Sequence, residues 1–235
     1  MKITLFVWRV RTSAIPFAFI RMALDRRYLR TLRGLTFYKL LGTGKGQSFT
    51  PRDADLWQWG LLAVGDEQAL TDLKRSQLVA RWNKRSTERA HFDLRTLSSH
   101  GRWAQQEPFV TTPEGTSDGA KNPIAIAAIT RARIKWSKNF TFWRAVPPVI
   151  DALERAPGLI AAIGIGEAPI GLQGTFSLWS DSKSLRDFAY KSEEHNRAIA
   201  ATEAVGWYSE ELFARFAVEA ASGSLNGITR NSTAD

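Results

Sequence analysis

The feature that most constrains this chain is an internal repeat, in which segments of the first half recur in the same order in the second half. The two copies of each segment are separated by 115 to 124 residues. Four matches in one order at nearly one spacing indicate duplicated structure, whose copies bury their apolar faces together. The matching segments are Trp8–Arg11 with Thr130–Arg133, Phe17–Arg21 with Phe140–Arg144, Gly34-Leu35 with Gly158-Leu159, and Asp66 and Leu70 with Asp181 and Leu185.

Both halves show the same succession of strand and helix patterns. Runs of β-branched and aromatic residues bounded by Gly, Pro and Asp predict strands, and apolar positions three to four residues apart predict helices. The first half predicts strands at 3–11, 35–41, 56–64 and 90–97, with helices at 16–32 and 67–85. The second half predicts strands at 124–134, 159–165, 174–179 and 211–219, with helices at 140–155 and 183–205.

This order predicts an α+β fold of two tandem ferredoxin-like (βαββαβ) repeats, whose sheets pair into a barrel. It is the single-chain equivalent of a dimeric α+β barrel. We expect the first repeat to cover residues 1–105 and the second residues 124–220. The stretch 106–123 is rich in Pro, Gly, Thr and Ser and predicts a linker, and residues 221–235 predict a disordered tail.

Composition narrows the class of protein. The 235 residues include no cysteine, which excludes disulfides, thiolate-ligated haem, iron–sulfur clusters and cysteine nucleophiles. The net charge of +9 is concentrated at the start, because residues 1–52 hold eleven Lys and Arg against the single acid Asp25. No stretch has the length of a signal peptide or a membrane span. We expect a cytoplasmic protein, with peripheral contact to a membrane surface through the basic N-terminal helix left open.

Five arginines crowd the first predicted helix and its end. Such a run is usually a solvated face, and its functional interpretations are contact with anionic lipid, haem propionates or nucleic acid. The nine tryptophans form no stacking ladder, which disfavours nucleic acid, and they suggest a broad aromatic-lined interior for a large planar or polyene ligand. Gly42–Gly46 lacks the Lys-Ser/Thr of a phosphate-binding loop and is interpreted as a hairpin loop. The arginines are Arg21, Arg26, Arg27, Arg30 and Arg33.

His195 is the candidate metal ligand. Its helical neighbours at i−7, i−3 and i+4 are Phe188, Ser192 and Ile199, which place it on or beside the face turned to the sheet. A neutral imidazole there can bind iron, and the ordinary alternative is a half-buried histidine bonded to backbone. The repeat puts Ala80 at the matching position of the first half.

The other two histidines, His91 and His100, are interpreted as a strand residue and a turn residue without a metal role. No pair of histidines has metal-ligand spacing, which gives no support to a zinc or facial-triad iron site.

Several motifs together resemble the spheroidene monooxygenase family of carotenoid-ketolating enzymes. They are collinear over roughly residues 3–218, which makes them more specific together than singly. The resemblance is weakest in the central linker and around Trp57–Trp59. The motifs are Arg33–Gly44, Gly46, Phe49–Arg52, Gly101–Trp103, Phe142–Pro147, Gly164–Glu167, His195 with Ala198-Ile199, and Gly206–Phe216.

The resemblance implies a haem-dependent monooxygenase that introduces a keto group into an acyclic carotenoid, with b-type haem iron as cofactor and O₂ or peroxide as oxidant. Haem-binding α+β barrels, which include chlorite dismutases and dye-decolourising peroxidases, place a proximal histidine on the helix of the C-terminal repeat. His195 falls in the corresponding place. With haem bound, Glu210 or Glu211 would orient the imidazole, Arg215 would contact a propionate, and Trp207 would complete the cofactor site.

The expected partners are a hydrophobic small-molecule substrate and an external electron donor, because the sequence holds no flavin or nicotinamide fingerprint. No nucleic-acid partner is expected. Three alternatives remain at this point: a cofactor-free α+β barrel oxygenase acting on an activated aromatic, a non-catalytic haem-binding protein, and a membrane- or nucleic-acid-binding module.

Overall fold

The computed structural model describes residues 1–44, 53–111, 123–138, 147–167, 172–191, 208–226, 228–229 and 232–233. The helices are α1 (Ile15–Leu29), α2 (Glu67–Arg75), α3 (Gln77–Arg85), α4 (Pro147–Glu154) and α5 (Ser182–Lys191). The strands are β1 (Lys2–Val10), β2 (Leu35–Gly44), β3 (Ala54–Gly65), β4 (Ser86–Gly101), β5 (Ala125–Ile134), β6 (Leu159–Gly166), β7 (Leu172–Trp179), β8 (Tyr208–Leu225), β9 (Ile228–Thr229) and β10 (Ser232–Thr233).

Eight antiparallel strands close into a barrel. The first half has the spatial order β4-β1-β3-β2 and the second half the equivalent order β8-β5-β7-β6. The halves join at two seams, β4 with β8 and β2 with β6. The short strands β9 and β10 pair only with β8 among the described strands. The predicted α+β fold of two ferredoxin-like repeats in a dimeric α+β barrel arrangement is confirmed.

The same turn geometry recurs in both copies of the repeat. Gly34 has a φ of +81°, and a Cβ on it would lie 2.2 Å from the carboxylate of Asp66. Asp66 caps α2 by accepting a hydrogen bond from the N–H of Ala69 at 2.7 Å. Gly158 also has a φ of +81°, and Asp181 caps α5 through a backbone N–H at 2.8 Å. The sequence matches at these positions therefore reflect one structural role performed twice.

Aromatic rings fill the barrel interior. Phe109 packs edge-on against Phe216 with ring centroids 4.9 Å apart, and Phe92 lies 5.5 Å from Phe176. A void of about 10 Å³ beside Phe92, room for about one water molecule, lies between these side chains. Between the described residues the interior is a packed core. The prediction of a broad interior that holds a ligand is wrong, because the rings contact one another.

The helices cover the outside of the barrel. On the first half, Trp8 of β1 stacks on Trp82 of α3 with ring centroids 5.2 Å apart, and both are fully buried. On the second half, Trp179 of β7 packs against Phe188 of α5 at 5.4 Å. Among the helices that the structure describes, none is both long enough and apolar enough to cross a membrane.

The helix predicted at 67–85 is two helices. Ser76 has an extended backbone, with φ −70° and ψ 156°, and its hydroxyl accepts a hydrogen bond from the N–H of Val79 at 3.3 Å. Serine competes for backbone groups in this way and is favoured at helix starts over helix interiors. The first part of the helix predicted at 140–155 and the later part of the helix predicted at 183–205 lie outside the described residues, which omit 139–146 and 192–207.

Two connecting segments differ from their predictions. Phe109 belongs to the stretch predicted as a linker, yet it is 3% exposed and sits in the barrel core. The tail predicted as disordered from Ala221 continues β8 as far as Leu225, which is also buried. In both places an apolar side chain fills space between strands that are distant in sequence. Local composition does not indicate such long-range packing.

Phe109→Ala is expected to lower the free energy of unfolding by about 3–5 kcal/mol, because it removes a buried ring from a packed core. The neighbouring Val110 is 57% exposed, so Val110→Ala serves as the control and should change stability by less than about 0.5 kcal/mol. Urea denaturation followed by circular dichroism measures both. Equal stability of the two variants would contradict the placement of Phe109 inside the barrel.

Candidate functional site

A cleft of about 510 Å³ lies outside the barrel, where β2 of the first half meets β6 of the second. Helix α1 forms one wall, and the start of β3 forms another. The volume falls within the usual range for small-molecule sites. Side chains or backbone that face it include Phe19, Met22, Gly42, Trp59, Gly166 and Glu167.

Four glycines form the floor of the cleft. Gly42 pairs with Gly166 and Gly44 pairs with Gly164, with Thr43 opposite Ile165 between them. The two Gly-x-Gly segments are copies of one another, 122 residues apart, so the antiparallel pairing gives this seam a local two-fold symmetry. Because glycine has no side chain, a ligand can lie directly on the backbone here.

At Gly42 the floor has room for a side chain that it does not carry. A Cβ added to Gly42 would meet only the carbonyl oxygen of Gly166 within 4 Å, at an ordinary contact distance of 3.7 Å. The open space above Gly42 therefore belongs to the cleft, and a larger residue there would occupy it.

An aromatic pair forms the wall on the α1 side. The ring of Phe19 meets Trp59 edge-on with centroids 5.1 Å apart. Trp59 is buried and donates its indole N–H to the carbonyl of Leu56 at 2.8 Å, whereas Phe19 is 53% exposed. This wall presents apolar surface to the cleft at the side that opens to solvent.

A buried arginine anchors a charged cluster beside the cleft. Arg131 of β5 has only 2% of its side chain exposed and pairs with Glu210 of β8 and, at 3.2 Å, with Glu167 after β6. Its guanidinium lies 5.7 Å from the centroid of Trp103, and its Nε has no hydrogen-bond partner among the described residues. The cluster links three strands of the second half at one end of the barrel.

Glu167 belongs to both this cluster and the cleft. Its carboxylate accepts hydrogen bonds from Lys39 at 2.5 Å and from the indole N–H of Trp103 at 2.6 Å. Burial raises the pKa of Glu167, but the bonds from Lys39 and Trp103 and the charges of Lys39 and Arg131 outweigh it and lower the pKa overall. Glu167 therefore faces the cleft as a carboxylate at neutral pH.

Glu210 closes the turn that follows β4. It accepts the backbone N–H groups of Ala104 at 3.0 Å and Gln105 at 2.6 Å, two residues with positive φ. Burial raises the pKa of Glu210, and hydrogen bonds from Gln105, Arg131 and Ala104 together lower it further than burial raises it. Among the described residues, the two backbone N–H groups and Arg131 engage both carboxylate oxygens of Glu210, and none of these partners is an imidazole.

The cluster has a counterpart in the other half. Arg9 approaches Glu88 at 3.8 Å and pairs with Asp55 at 2.7 Å, and Arg9 and Glu88 precede Arg131 and Glu210 by 122 residues each. The side chain of Arg9 is 36% exposed, whereas that of Arg131 is almost fully buried. The repeat match between Trp8–Arg11 and Thr130–Arg133 is therefore the sequence signal that points to Arg131, since Arg9 and Arg131 occupy equivalent positions in it.

Two predicted cofactor residues, His195 and Trp207, lie outside the described residues, so their roles stay predictions. Arg215 is half-buried on the outer face of β8, where its Nε donates to the hydroxyl of Ser98 at 2.8 Å. It pairs in register with Ala128, which packs on the same side as the helices of the second half. Glu211 is exposed near the start of β8, four residues before Arg215 on the same face.

The two described histidines are engaged elsewhere or exposed. His91 lies 2.7 Å from the hydroxyl of Thr4 and 3.2 Å from Asp93, and His100 is exposed at the end of β4. Burial raises the pKa of Asp93, but hydrogen bonds from His91 and Lys74 hold it at about 2. Among the described residues, no group of three or more His, Asp or Glu could hold a metal ion.

The five arginines of the first helix divide into two kinds. Arg21 forms an ion pair with the fully buried Asp25, which also accepts the indole N–H of Trp82 at 2.9 Å. This arginine therefore supports the packing of α1 on the barrel. The other four are exposed, and they are Arg26, Arg27, Arg30 and Arg33.

Comparison with known proteins decides the family. No family model matches the chain. The chain is 36% identical to spheroidene monooxygenase of Rhodobacter capsulatus over 219 residues, which is 92% of this chain and 89% of that protein. The chain belongs to the spheroidene monooxygenase family. The spheroidene monooxygenase of Cereibacter sphaeroides is 34% identical over 88% of this chain and 63% of its own length. Family membership makes this chain an oxidoreductase of the monooxygenase type.

Solved structures confirm the fold. A crystal structure of aldoxime dehydratase covers 92% of this chain and 80% of its own, with a TM-score of 0.60 and 12% identity. A second aldoxime dehydratase, crystallised with butyraldoxime, gives a TM-score of 0.61 at 13% identity over 92% of this chain and 79% of its own. At this level of identity the likeness shows the barrel architecture alone.

Glu210→Gln is expected to lower the free energy of unfolding at pH 7 by about 3 kcal/mol, because it leaves the buried charge of Arg131 with a weaker partner. Glu219→Gln on the same strand is the control. Glu219 pairs with Arg95 at 2.9 Å with 35% of its side chain exposed, so we expect a loss below about 1 kcal/mol.

The same pair of variants tests the pH dependence. The pKa values of Glu167 and Glu210 are lowered in the folded chain, so the unfolded chain takes up protons first as the pH falls below about 5. Stability is therefore present above the ordinary pKa and is lost as the pH falls through the folded pKa. Urea unfolding at pH 7, 5 and 4 should show a smaller loss in Glu210→Gln than in Glu219→Gln, and parallel losses would contradict the role of Glu210.

Proposed function

We propose that the chain is a haem-dependent monooxygenase that oxidises an acyclic carotenoid of the spheroidene type, and that part of this long substrate binds in the cleft at the β2–β6 seam. The glycine floor is the observation that supports a carotenoid as the substrate. A long apolar polyene needs a smooth surface to lie on more than it needs polar groups to bind it. Phe19 and Trp59 add an apolar wall against which such a chain can pack.

Two of the four charged residues that line the cleft, Asp55 and Glu167, are held by protein partners. Asp55 is already bonded to Arg9 and to the N–H of Trp57 at 3.0 Å. Glu167 is held as a carboxylate by Lys39 and Arg131, so at neutral pH it can accept a hydrogen bond but has no proton to give. Its position suits the orientation of a polar end group, such as a hydroxyl formed on the substrate.

The haem part of the proposal rests on His195. His91 is bonded to Thr4 and Asp93 and packs against Phe6, which leaves it unsuited to bind iron, and His100 does not face the cleft. Phe188, at i−7 from His195, faces the sheet as the helical pattern predicted. Haem, when bound, would supply the activation of O₂ or peroxide at its iron.

The residues of this chain would then hold and orient the group. Arg215 lies on the outer face of β8 with part of its guanidinium free to contact a propionate, because only its Nε bonds to Ser98 in the contacts described above. Glu211 is exposed four residues earlier on that face and would orient the imidazole. An external protein or small-molecule reductant would supply the electrons that a monooxygenase consumes.

His195→Ala is expected to abolish the Soret band that forms when the purified protein is titrated with haemin, because the axial ligand is removed. His100→Ala is the control and should bind haemin like the wild type. Circular dichroism checks that both variants are folded. An unchanged band in His195→Ala would overturn the ligand assignment, and a wild type without a Soret band would favour the cofactor-free oxygenase.

Gly42→Leu is expected to lower kcat/KM for a carotenoid at least tenfold, because the new side chain occupies the floor of the cleft while its Cβ meets the backbone at an ordinary distance. Gly42→Ala adds only the Cβ and is the control, with an effect below about threefold. Turnover in detergent micelles, read by the shift of the polyene absorption, measures both. Wild-type activity in Gly42→Leu would place the substrate elsewhere.

A further inference from the structure

Helix α1 presents apolar side chains to solvent on the face opposite the barrel. Its buried face is formed by Ala18, Asp25 and Leu29. On the outer side Ile20 is 57% exposed and Leu24 is 44% exposed, and they follow one another by one helical turn. The helix therefore carries large apolar side chains on its solvent side, where polar residues are the norm.

This apolar face continues onto the start of β3. Trp57 is 38% exposed and donates its indole N–H to the hydroxyl of Thr12 at 3.1 Å, which ties it to the turn just before α1. Leu56 beside it is 40% exposed. The side chains of α1 and β3 thus form one surface, which we call the α1 surface and define as Phe19, Ile20, Leu24, Leu56 and Trp57.

Positive charge borders the α1 surface. Arg26, Arg27 and Arg30 are exposed on the last turns of the same helix, and Arg33 follows in the next turn of chain. Two interactions hold a protein at a membrane surface: apolar side chains are buried at the headgroup boundary, and basic side chains neutralise anionic lipids. The exposed aliphatic residues and the indole can make the first interaction, and the clustered arginines can make the second. A tryptophan at the edge of such a surface is typical of membrane-interface contact.

We propose that the α1 surface docks the protein onto an anionic lipid bilayer and sets the mouth of the cleft against it. Phe19 belongs to both features, because it lines the cleft and lies 53% exposed on the α1 surface. Met22 and Leu56 also line the cleft from the two elements that form this surface. An apolar substrate dissolved in the bilayer would then enter the cleft without crossing water. Only this last consequence rests on the proposed function.

The test is sedimentation of the full chain with vesicles, without haem or substrate. The wild type should sediment with vesicles of phosphatidylcholine and phosphatidylglycerol, bind pure phosphatidylcholine more weakly, and lose affinity as salt is raised. Two double variants avoid the lining of the cleft, and they are Ile20→Gln with Leu24→Gln and Arg27→Gln with Arg30→Gln.

We expect the aliphatic pair of substitutions to lower binding to both kinds of vesicle at least tenfold. The arginine pair should lower binding to anionic vesicles by about 30-fold and leave neutral vesicles unaffected, since each basic residue near an anionic surface contributes about fivefold. Val110→Gln with Tyr190→Gln removes exposed apolar groups, 57% and 75% exposed, away from α1 and should bind like the wild type.

A wild type that stays in the supernatant, or aliphatic variants that bind like the wild type, would overturn the proposal. A different result would also overturn it: neither protein binds vesicles, the wild type elutes as a dimer, and the Ile20/Leu24 variant elutes as a monomer. The α1 surface would then be a subunit interface. Activity on micellar substrate separates the two proposals. The Ile20/Leu24 variant should keep it, and its absence in the wild type would remove the proposed function while vesicle binding stands.

Discussion

Backbone pairing between the two halves is the constraint on which the rest of the structure depends. Among the described residues, the β4–β8 seam runs from Ala90 to Gly101, and the β2–β6 seam pairs Gly42–Gly44 with Gly164–Gly166. Both are needed, because an open sheet of two ferredoxin-like units would expose unpaired edges. The cleft lies at the β2–β6 seam, where α1 and the start of β3 flank it. The location of the site thus follows from how the barrel closes.

The packed interior decides which surfaces remain for function. Aromatic rings from both halves, such as Phe109 and Phe216, occupy the space that a ligand would need inside the barrel. The buried arginine cluster closes one end of that core and ties β5, β6 and β8 to the turn after β4. The cleft found among the described residues accordingly lies outside the barrel, beside α1. This division explains why the described polar groups with lowered pKa values serve mainly to hold the fold.

The fold was largely predictable from the sequence, and the site was predictable only in part. The turns at Gly34 and Gly158 were predictable from local sequence, because each has a positive φ that residues with a side chain adopt only with strain. The burial of Phe109 was not predictable from local sequence, because it depends on strands far away in the chain. The helix break at Ser76 was not predictable either, because the apolar spacing continues on both sides of it. Glu167 stood within a motif of the family resemblance, but its bonds to Lys39 and Arg131 join residues that only the closed barrel brings together.

The two arginine–glutamate pairs show what joining the halves in one chain permits. Arg9 keeps its contacts near the surface, while Arg131 at the equivalent place is almost fully enclosed. In a symmetric assembly of identical chains, any substitution appears at both places at once, so neither copy can change its environment alone. Covalent fusion removes that coupling. One copy of the repeat can then bury its arginine–glutamate pair and stiffen the barrel, while the other copy keeps its pair accessible at the surface.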